Sequence, residues 1–484
     1  MIKNIRYSVL FFSISIFLIG IFFANTNVIL VGICTMIIHN FIYSFENFND
    51  RIIFFAFNGT FFTFLIGRLI VKTLTSYTDI YNNNKYGLDF YDDKVIMHIF
   101  ITLFISLLFI FIGYTLAKNK KSKSRKNNIL SKYNQNDIES IRLISKILFY
   151  ITYIFSSLVL LDKARFSNNV GYMELYASYS SSFPFWVTKL AEMNTISLFV
   201  FLGTLPAKRK SFIPILLYSI LGILSLVIGQ RNNFVLNIMI IIVYLFLRNN
   251  TDKKERWFGK KELITCIVIF PILIVILNSV SYIRFDKDVN KSSLGSSINE
   301  FFYSQGASVN LIGYAETMKN EIGDNRNYTF GRIITFIKNN SITQALMDIP
   351  MYESQTVESA LYGNSFADSV SYRISPNRYI NGWGYGSSYV AELYIDYGYI
   401  GVAIGNMVIG FILGYMGILF TLGPLNAAIS LFMTRLLLYA PRDTTMSFIV
   451  TTFNLINTLT IFLIFIGWKV LISKKRRNIN CSED

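Results

Sequence analysis

The chain has 484 residues, of which 53% are hydrophobic and 15% charged, with a formal net charge of +16. That much apolar side chain exceeds what a soluble core needs, and it excludes a soluble globular enzyme in favour of a polytopic membrane protein. The positive charge does not point to nucleic acid, because the basic residues sit in short connectors between apolar runs: KNKKSKSRKNN after Ala117, AKRK at Ala207, LRNNTDKKERWFGKK after Phe246 and SKKRR near the end. Such connectors mark the cytoplasmic side of a membrane, where their residual pull is on anionic lipid heads.

The chain opens with MIKNIRYSVLFFSISIFLIGIFFANTN, which has the basic start of a secretion signal. Its apolar run is too long for a signal core and another begins at Val28, so it is expected to be the first membrane helix. A helix crosses the roughly 30 Å hydrocarbon layer with about 20 mainly apolar residues. By that rule about twelve spans are predicted, at 7–24, 28–45, 52–71, 95–117, 141–161, 186–205, 212–229, 233–247, 263–283, 389–417, 425–440 and 446–468. With the N-terminus inside, every strongly basic connector and the tail fall on the cytoplasmic side.

The expected fold is therefore an all-α polytopic integral membrane protein with both termini cytoplasmic and one large, partly helical outer loop. Its divisions are residues 1–283, nine spans with short connectors; 284–388, the extracytoplasmic loop; 389–468, three spans; and 469–484, a basic cytoplasmic tail. The loop is far longer than an unstructured connector and contains helix-compatible patches such as GRIITFIKNNSITQALMDI, so it is expected to form a cap. The three cysteines, Cys34, Cys266 and Cys481, offer neither a disulfide framework nor metal-ligand spacing.

An ionisable residue in hydrocarbon costs several kcal/mol, so each one inside a span is a functional candidate by default. Arg68, Lys189, Glu192 and Arg435 are the clearest, all nearer the predicted outer ends of their helices. Beside them stand Arg231 in GQRNNF, Arg284 in SYIRFDKD, Arg442 and Asp443 in YAPRDTT, and the pair Glu392 and Asp396. Together they suggest a water-accessible cavity opening outward beneath the loop. Plainer accounts stand beside this one. Arg68 and Arg435 can snorkel to the interface, Lys189 and Glu192 can pair privately along one helix, and Glu392 and Asp396 can be solvated acids at a helix start. Gly401, Gly405, Gly410 and Gly414 repeat the spacing that lets membrane helices pack closely. No Walker loop, dinucleotide fingerprint, zinc spacing or serine-hydrolase elbow stands in a convincing context.

Many spans, one long outer loop, the run GWGYGSSYVAELYIDYGYIGVAIGNMVIGFILG, the following YAPRDTT and the turn GQRNN together resemble the Wzy-type O-antigen polysaccharide polymerases. Arg373 and Gly384 also fit that family's arginine-then-glycine loop pattern, of which no second copy is found. The resemblance implies a membrane glycosyltransferase that joins undecaprenyl-pyrophosphate-linked repeat units outside a bacterial inner membrane. It implies no cofactor, demands no metal, and suggests a chain-length regulator and a flippase as membrane partners. Such chemistry needs a carboxylate to take the acceptor proton and cations to hold the departing pyrophosphate. Glu392 is the preferred base with Asp396 second, one turn deeper; Arg231, Arg284, Arg373, Arg378, Arg435 and Arg442 are the expected cations. Tyr372, Tyr379, Trp383 and Tyr385 can stack on sugar faces or form an interfacial belt. The alternatives are an O-antigen ligase, expected to carry a histidine in the loop, where this chain has none, and a lipid-linked oligosaccharide flippase, expected to show repeated halves.

Overall fold

The computed structural model describes residues 2–75, 85–124, 133–172, 174–251, 255–284, 294–322, 326–338, 343 and 352–480, and among these there is helix but no strand. The first half is α1 (Ile2–Phe22), α2 (Thr26–Phe45), α3 (Phe48–Phe61), α4 (Gly67–Leu74), α5 (Asp93–Ser124), α6 (Gln135–Val170), α7 (Glu174–Ala177), α8 (Phe185–Glu192), α9 (Asn194–Gly203), α10 (Lys208–Val227), α11 (Arg231–Thr251) and α12 (Lys260–Arg284). A π-helical turn at Phe62–Ile66 joins α3 to α4. The lid above them holds α13 (Leu294–Gln305), α14 (Asn310–Thr317), α15 (Lys319–Ile322), α16 (Gly331–Lys338), α17 (Val357–Tyr362), α18 (Phe366–Ile374) and α19 (Pro376–Ile380). The chain then closes with α20 (Tyr389–Leu419), α21 (Pro424–Leu437), α22 (Ser447–Thr452) and α23 (Leu455–Asn480).

Local chemistry sets several of these boundaries. The Asn25 side chain accepts from the amides of Asn27 at 3.1 Å and Val28 at 3.3 Å and so starts α2. Asn134 and Asp137 form a capping box for α6, and Thr356 and Ser365 cap the lid helices α17 and α18. Each satisfies amides that the first helical turn leaves without a partner.

Among the described residues ten helices are long and apolar enough to cross a membrane. Two shorter apolar helices, Pro271–Val280 within α12 and Pro424–Leu437, occupy the positions of the other two predicted spans. The span predicted at 186–205 is two helices that meet at Met193. α3 and α4 form the most buried span, whereas α1, α6 and α23 turn large apolar side chains such as Phe11, Ile154 and Phe462 outward. In a bilayer those faces meet lipid. At the end away from the lid, Glu46 takes both Arg6 at 3.0 Å and Arg51 at 2.8 Å, and Lys118 pairs with Asp50 at 3.0 Å. Arg6 of α1 and Trp468 of α23, whose indole donates to Asp137 at 3.1 Å, both lie at that end.

The seam between α5 and α20 is made by small residues. A Cβ on Gly113 would strike the Met407 carbonyl, one on Gly410 the Ile110 carbonyl, and one on Gly414 would lie 2.7 Å from Ala117 Cβ. Helix packing therefore explains Gly410 and Gly414 as expected. Gly401 and Gly405 face something else: their neighbours are Leu393 and Tyr397 of the same helix.

That contact reveals how α20 is built. Gly398 sits at φ +62°, a conformation open to glycine and strained for other residues, and it breaks the helix in two. In a straight helix Leu393 and Gly405 would be ~18 Å apart and Tyr389 and Asn406 ~25 Å. Here the Leu393 side chain packs on Gly405, and the Tyr389 hydroxyl bonds Asn406 Oδ1 at 2.6 Å. The stretch Tyr389–Tyr397 is thus a re-entrant arm: the chain dips from the lid to Ser388, rises to Gly398, and then descends as the true span. Non-helical backbone at such depth persists only when buried in protein, and Ser387, Ser388 and Tyr389 are buried. The prediction of one continuous span from 389 with Asp396 a turn deeper than Glu392 is corrected: Asp396 lies near the apex, and Glu392 is the deeper of the two.

Candidate functional site

The re-entrant arm presents its two carboxylates to different partners. Glu392, 1% exposed, accepts from Ser387 Oγ at 2.6 Å on one oxygen, and from the Thr445 amide at 2.7 Å and Thr445 Oγ1 at 2.8 Å on the other. It clamps the turn between α21 and α22 to the arm, with both oxygens occupied. Asp396 accepts from the backbone amides of Tyr328 at 3.0 Å and Thr329 at 2.6 Å, while Thr329 Oγ1 donates to the Glu392 carbonyl at 3.1 Å. It anchors the start of α16 to the arm. Capping of a helix start was the plainer reading of these acids, and Asp396 does hold amides at a helix start, although the helix belongs to the lid.

The cations gather on a different surface. Gly229, at φ +91°, closes the tight turn from α10 to α11 and brings Arg231, Asn232 and Asn233 against α21. The Asn232 amide donates to Tyr439 Oη at 2.6 Å, and Arg435 donates to Asn237 Oδ1 at 3.1 Å and Asn233 Oδ1 at 3.3 Å. Arg442 donates to Gln305 Oε1 of α13 at 2.9 Å, and both Arg442 and Tyr439 lie on the Phe64 ring. Arg435, Tyr439 and Arg442 recur at intervals of four and three residues, so they form one ridge along the helix and the turn that extends it. Arg231 reaches the carbonyl of Leu277 on α12 at 3.1 Å. The partners of Arg435 and Arg442 among the described residues are neutral oxygens, and neither guanidinium has a carboxylate within ion-pair distance. A half-buried guanidinium in that state is set to bind an anion, and its forked donors suit phosphate oxygens.

The family model of the O-antigen polysaccharide polymerase Wzy matches residues 5–475. The chain belongs to this family. Its members are glycosyltransferase-type polymerases that act on lipid-linked oligosaccharide repeat units, and this polymerase is a multi-pass membrane protein. No curated protein and no solved structure matches it.

Not every expected cation of the polymerase joins the ridge. Arg373 is exposed on the lid 3.7 Å from Glu321, and Arg378 stands 5.8 Å over the Trp383 ring. The Arg284 side chain lies outside the described residues. Arg68 is buried against the Tyr303 ring of α13 and bonds Gly87 O and Tyr303 Oη, so it joins the lid to α4. Lys189 and Glu192 form a pair at 2.8 Å on one helix, the private pair foreseen for them.

The sequence reading missed Tyr439, Asn232, Asn233, Asn237 and Gln305, which carry no charge, and named Asp443 among the outward charges without giving it a role. Asp443 follows Arg442 at the end of the ridge, accepts from the Thr444 amide at 2.8 Å and has Arg332 of α16 and the Ser447 hydroxyl nearby. Burial pushes its carboxyl above the ordinary value. The loop aromatics meet one another edge to face, Trp383 with Tyr385 and Tyr385 with Tyr314, while Tyr379 is fully buried and unavailable to a sugar. Among the described residues no group of His, Cys, Asp and Glu is placed to hold a metal ion.

Proposed function

We propose that the protein joins undecaprenyl-pyrophosphate-linked oligosaccharide repeat units into O antigen or a related surface polysaccharide, at the outer face of the bacterial cytoplasmic membrane. The growing glycan leaves its lipid pyrophosphate and is transferred to a sugar hydroxyl of the incoming lipid-linked unit. The observation that carries this reading is the Arg435–Tyr439–Arg442 ridge, whose guanidiniums meet neutral groups alone among the described residues. A departing pyrophosphate supplies the missing negative charge, and pre-set donors lower the barrier because they need not reorganise as charge develops. Arg231 and the asparagines of its turn fix one wall of this site; Gln305 and Phe64 fix the other.

The outer face is favoured because described basic residues of the connectors, such as Lys118, Lys208 and Arg248, lie at the bundle end away from the lid, and the positive-inside rule favours that end as the cytoplasmic one. A donor that already carries its leaving group needs no nucleotide. A chain-length regulator and a flippase in the same membrane are the partners such a reaction calls for. Arg373 and Arg378, exposed on the lid, would meet the glycan before it reaches the ridge.

The test is deletion of the gene followed by gel analysis of surface polysaccharide. Loss of the ladder with a single capped repeat retained is expected, and Arg435→Ala or Arg442→Ala, at normal membrane levels, should reproduce it. Complete absence of capped lipid would favour a ligase or flippase instead, and an unchanged ladder would end the enzyme reading.

A further inference from the structure

We propose that Asp443 is the catalytic base that takes the proton from the acceptor hydroxyl, and that Glu392 acts through it as a positioning residue. The proposal rests on the polymerase reading above. A base must present an oxygen to the substrate, and it works best close to the cations that receive the leaving group. Glu392 fails the first requirement, being buried with three donors on its two oxygens. Asp396 fails the first as well, because both of its oxygens accept from the Tyr328 amide and one also takes the Thr329 amide at the root of the lid.

Asp443 meets both. It is partly exposed, it follows Arg442 directly, and the charge of Arg332 on α16 acts on it without forming an ion pair. Two residues further on, Thr445 is held by Glu392 through both its amide and its hydroxyl. The turn carrying Asp443 is therefore fixed from below by the re-entrant arm. Raising the carboxyl above its ordinary value makes it a better proton acceptor once ionised.

The step balances without any further reactant. The acceptor O–H proton passes to the Asp443 carboxylate as the acceptor oxygen bonds the anomeric carbon. The bond from that carbon to the pyrophosphate oxygen breaks, and its electron pair leaves with the lipid pyrophosphate, held by Arg435 and Arg442. Asp443 then releases its proton to water.

The experiment uses membranes containing the full-length chain and lipid-linked repeat unit isolated from cells that make it, with polymer formed per unit time as the readout. Asp443→Ala should lower the rate by about 100-fold or more, and added sodium formate, a small carboxylate able to enter the vacated space, should restore part of it. Asp443→Asn, of the same shape, should lose activity equally at wild-type membrane levels. Glu392→Ala should also lose activity, but without rescue by formate, because its loss misplaces the turn. The wild-type rate should rise with pH along an acid limb set by Asp443, raised by burial and opposed by Arg332, and that limb should vanish in Asp443→Asn. Wild-type membranes that make no polymer would overturn the polymerase reading itself. Active wild type with an equally active Asp443→Asn, or formate rescue of Glu392→Ala in place of Asp443→Ala, would overturn this proposal alone.

Discussion

Replacing Glu392 by glutamine or by alanine should separate a clamp from a base. The carboxylate receives Ser387 Oγ at 2.6 Å and two donors from Thr445 at 2.7 and 2.8 Å. Hydrogen bonds to a charged group contribute about 1.5–3 kcal/mol each, so the three sum to roughly 4–9 kcal/mol. Burial of the charge offsets several kcal/mol of that, and hydrogen bonds within membranes average lower still. Glu392→Ala is therefore expected to lose about 2–4 kcal/mol locally, including the Thr445 amide left without an acceptor. Glutamine can keep its oxygen on both Thr445 donors and turn its amide to Ser387, whose hydroxyl can accept, so Glu392→Gln should cost about 1 kcal/mol or less. Hydrogen exchange of the turn at 440–446, in lipid nanodiscs, reads this difference directly. A loss of about 3 kcal/mol speeds exchange roughly a hundredfold at about 1.4 kcal/mol per decade, against less than tenfold for glutamine. Polymerisation should follow the same order, partly retained in Glu392→Gln and lost in Glu392→Ala. Native exchange with no polymer in Glu392→Gln would refute the reasoning and return the base role to Glu392, and native exchange in Glu392→Ala would show that the clamp holds nothing.

The other predictions concern the ridge, the seam and the lid. Arg435→Lys keeps the charge but loses the fork that spans Asn233 and Asn237, so it should recover well under a tenth of the polymer that Arg435→Ala lacks, measured at equal membrane levels. Gly410→Ala drives a methyl group into the Ile110 carbonyl of α5, whereas Gly405→Ala meets the movable end of Leu393; the first should lose about 1–3 kcal/mol of thermal stability in detergent and the second clearly less. In the lid, burial raises the Asp368 carboxyl, which accepts from Ser359 Oγ at 3.0 Å. Because the folded value lies above the unfolded one, Asp368 favours the folded lid most below the ordinary carboxylate range of about 3.9, and this contribution is lost as pH rises through the folded value. Asp368→Asn should therefore slow proteolysis of the lid at neutral pH and give no advantage in acid.

Most of the bundle was legible because burial in lipid requires long apolar runs, and such runs are visible without any knowledge of packing. The positions of α1, α2, α5, α10 and α11 follow from that rule alone. The exception is α20, where composition is equally apolar on both sides of Gly398 and only a backbone angle distinguishes a straight span from a fold-back. The same angle reversed the depths of Glu392 and Asp396. Charge in apolar surroundings pointed to Arg435, Arg442 and Arg231, which the fold gathers at one corner. Their neutral companions stayed hidden, since asparagine, glutamine and tyrosine in spans are as often packing residues as ligands. Arg373 and Arg378 looked equivalent to the others in sequence, and only the lid's own folding keeps them at its surface.

The fold-back at Gly398 also bears on the order in which the protein can be assembled. The re-entrant arm rests on α5 through residues made some three hundred positions earlier, as the Tyr394 ring against His98, centroids 4.0 Å apart, records. It cannot settle as an ordinary inserted segment, because its polar ends need α5, α21 and the lid already in place to satisfy them. A nascent chain would therefore carry a complete N-terminal bundle well before the corner with the ridge exists, and that corner would close as one of the last events of synthesis. Truncation anywhere in the final quarter should leave a membrane protein that inserts and persists but has never formed its working site.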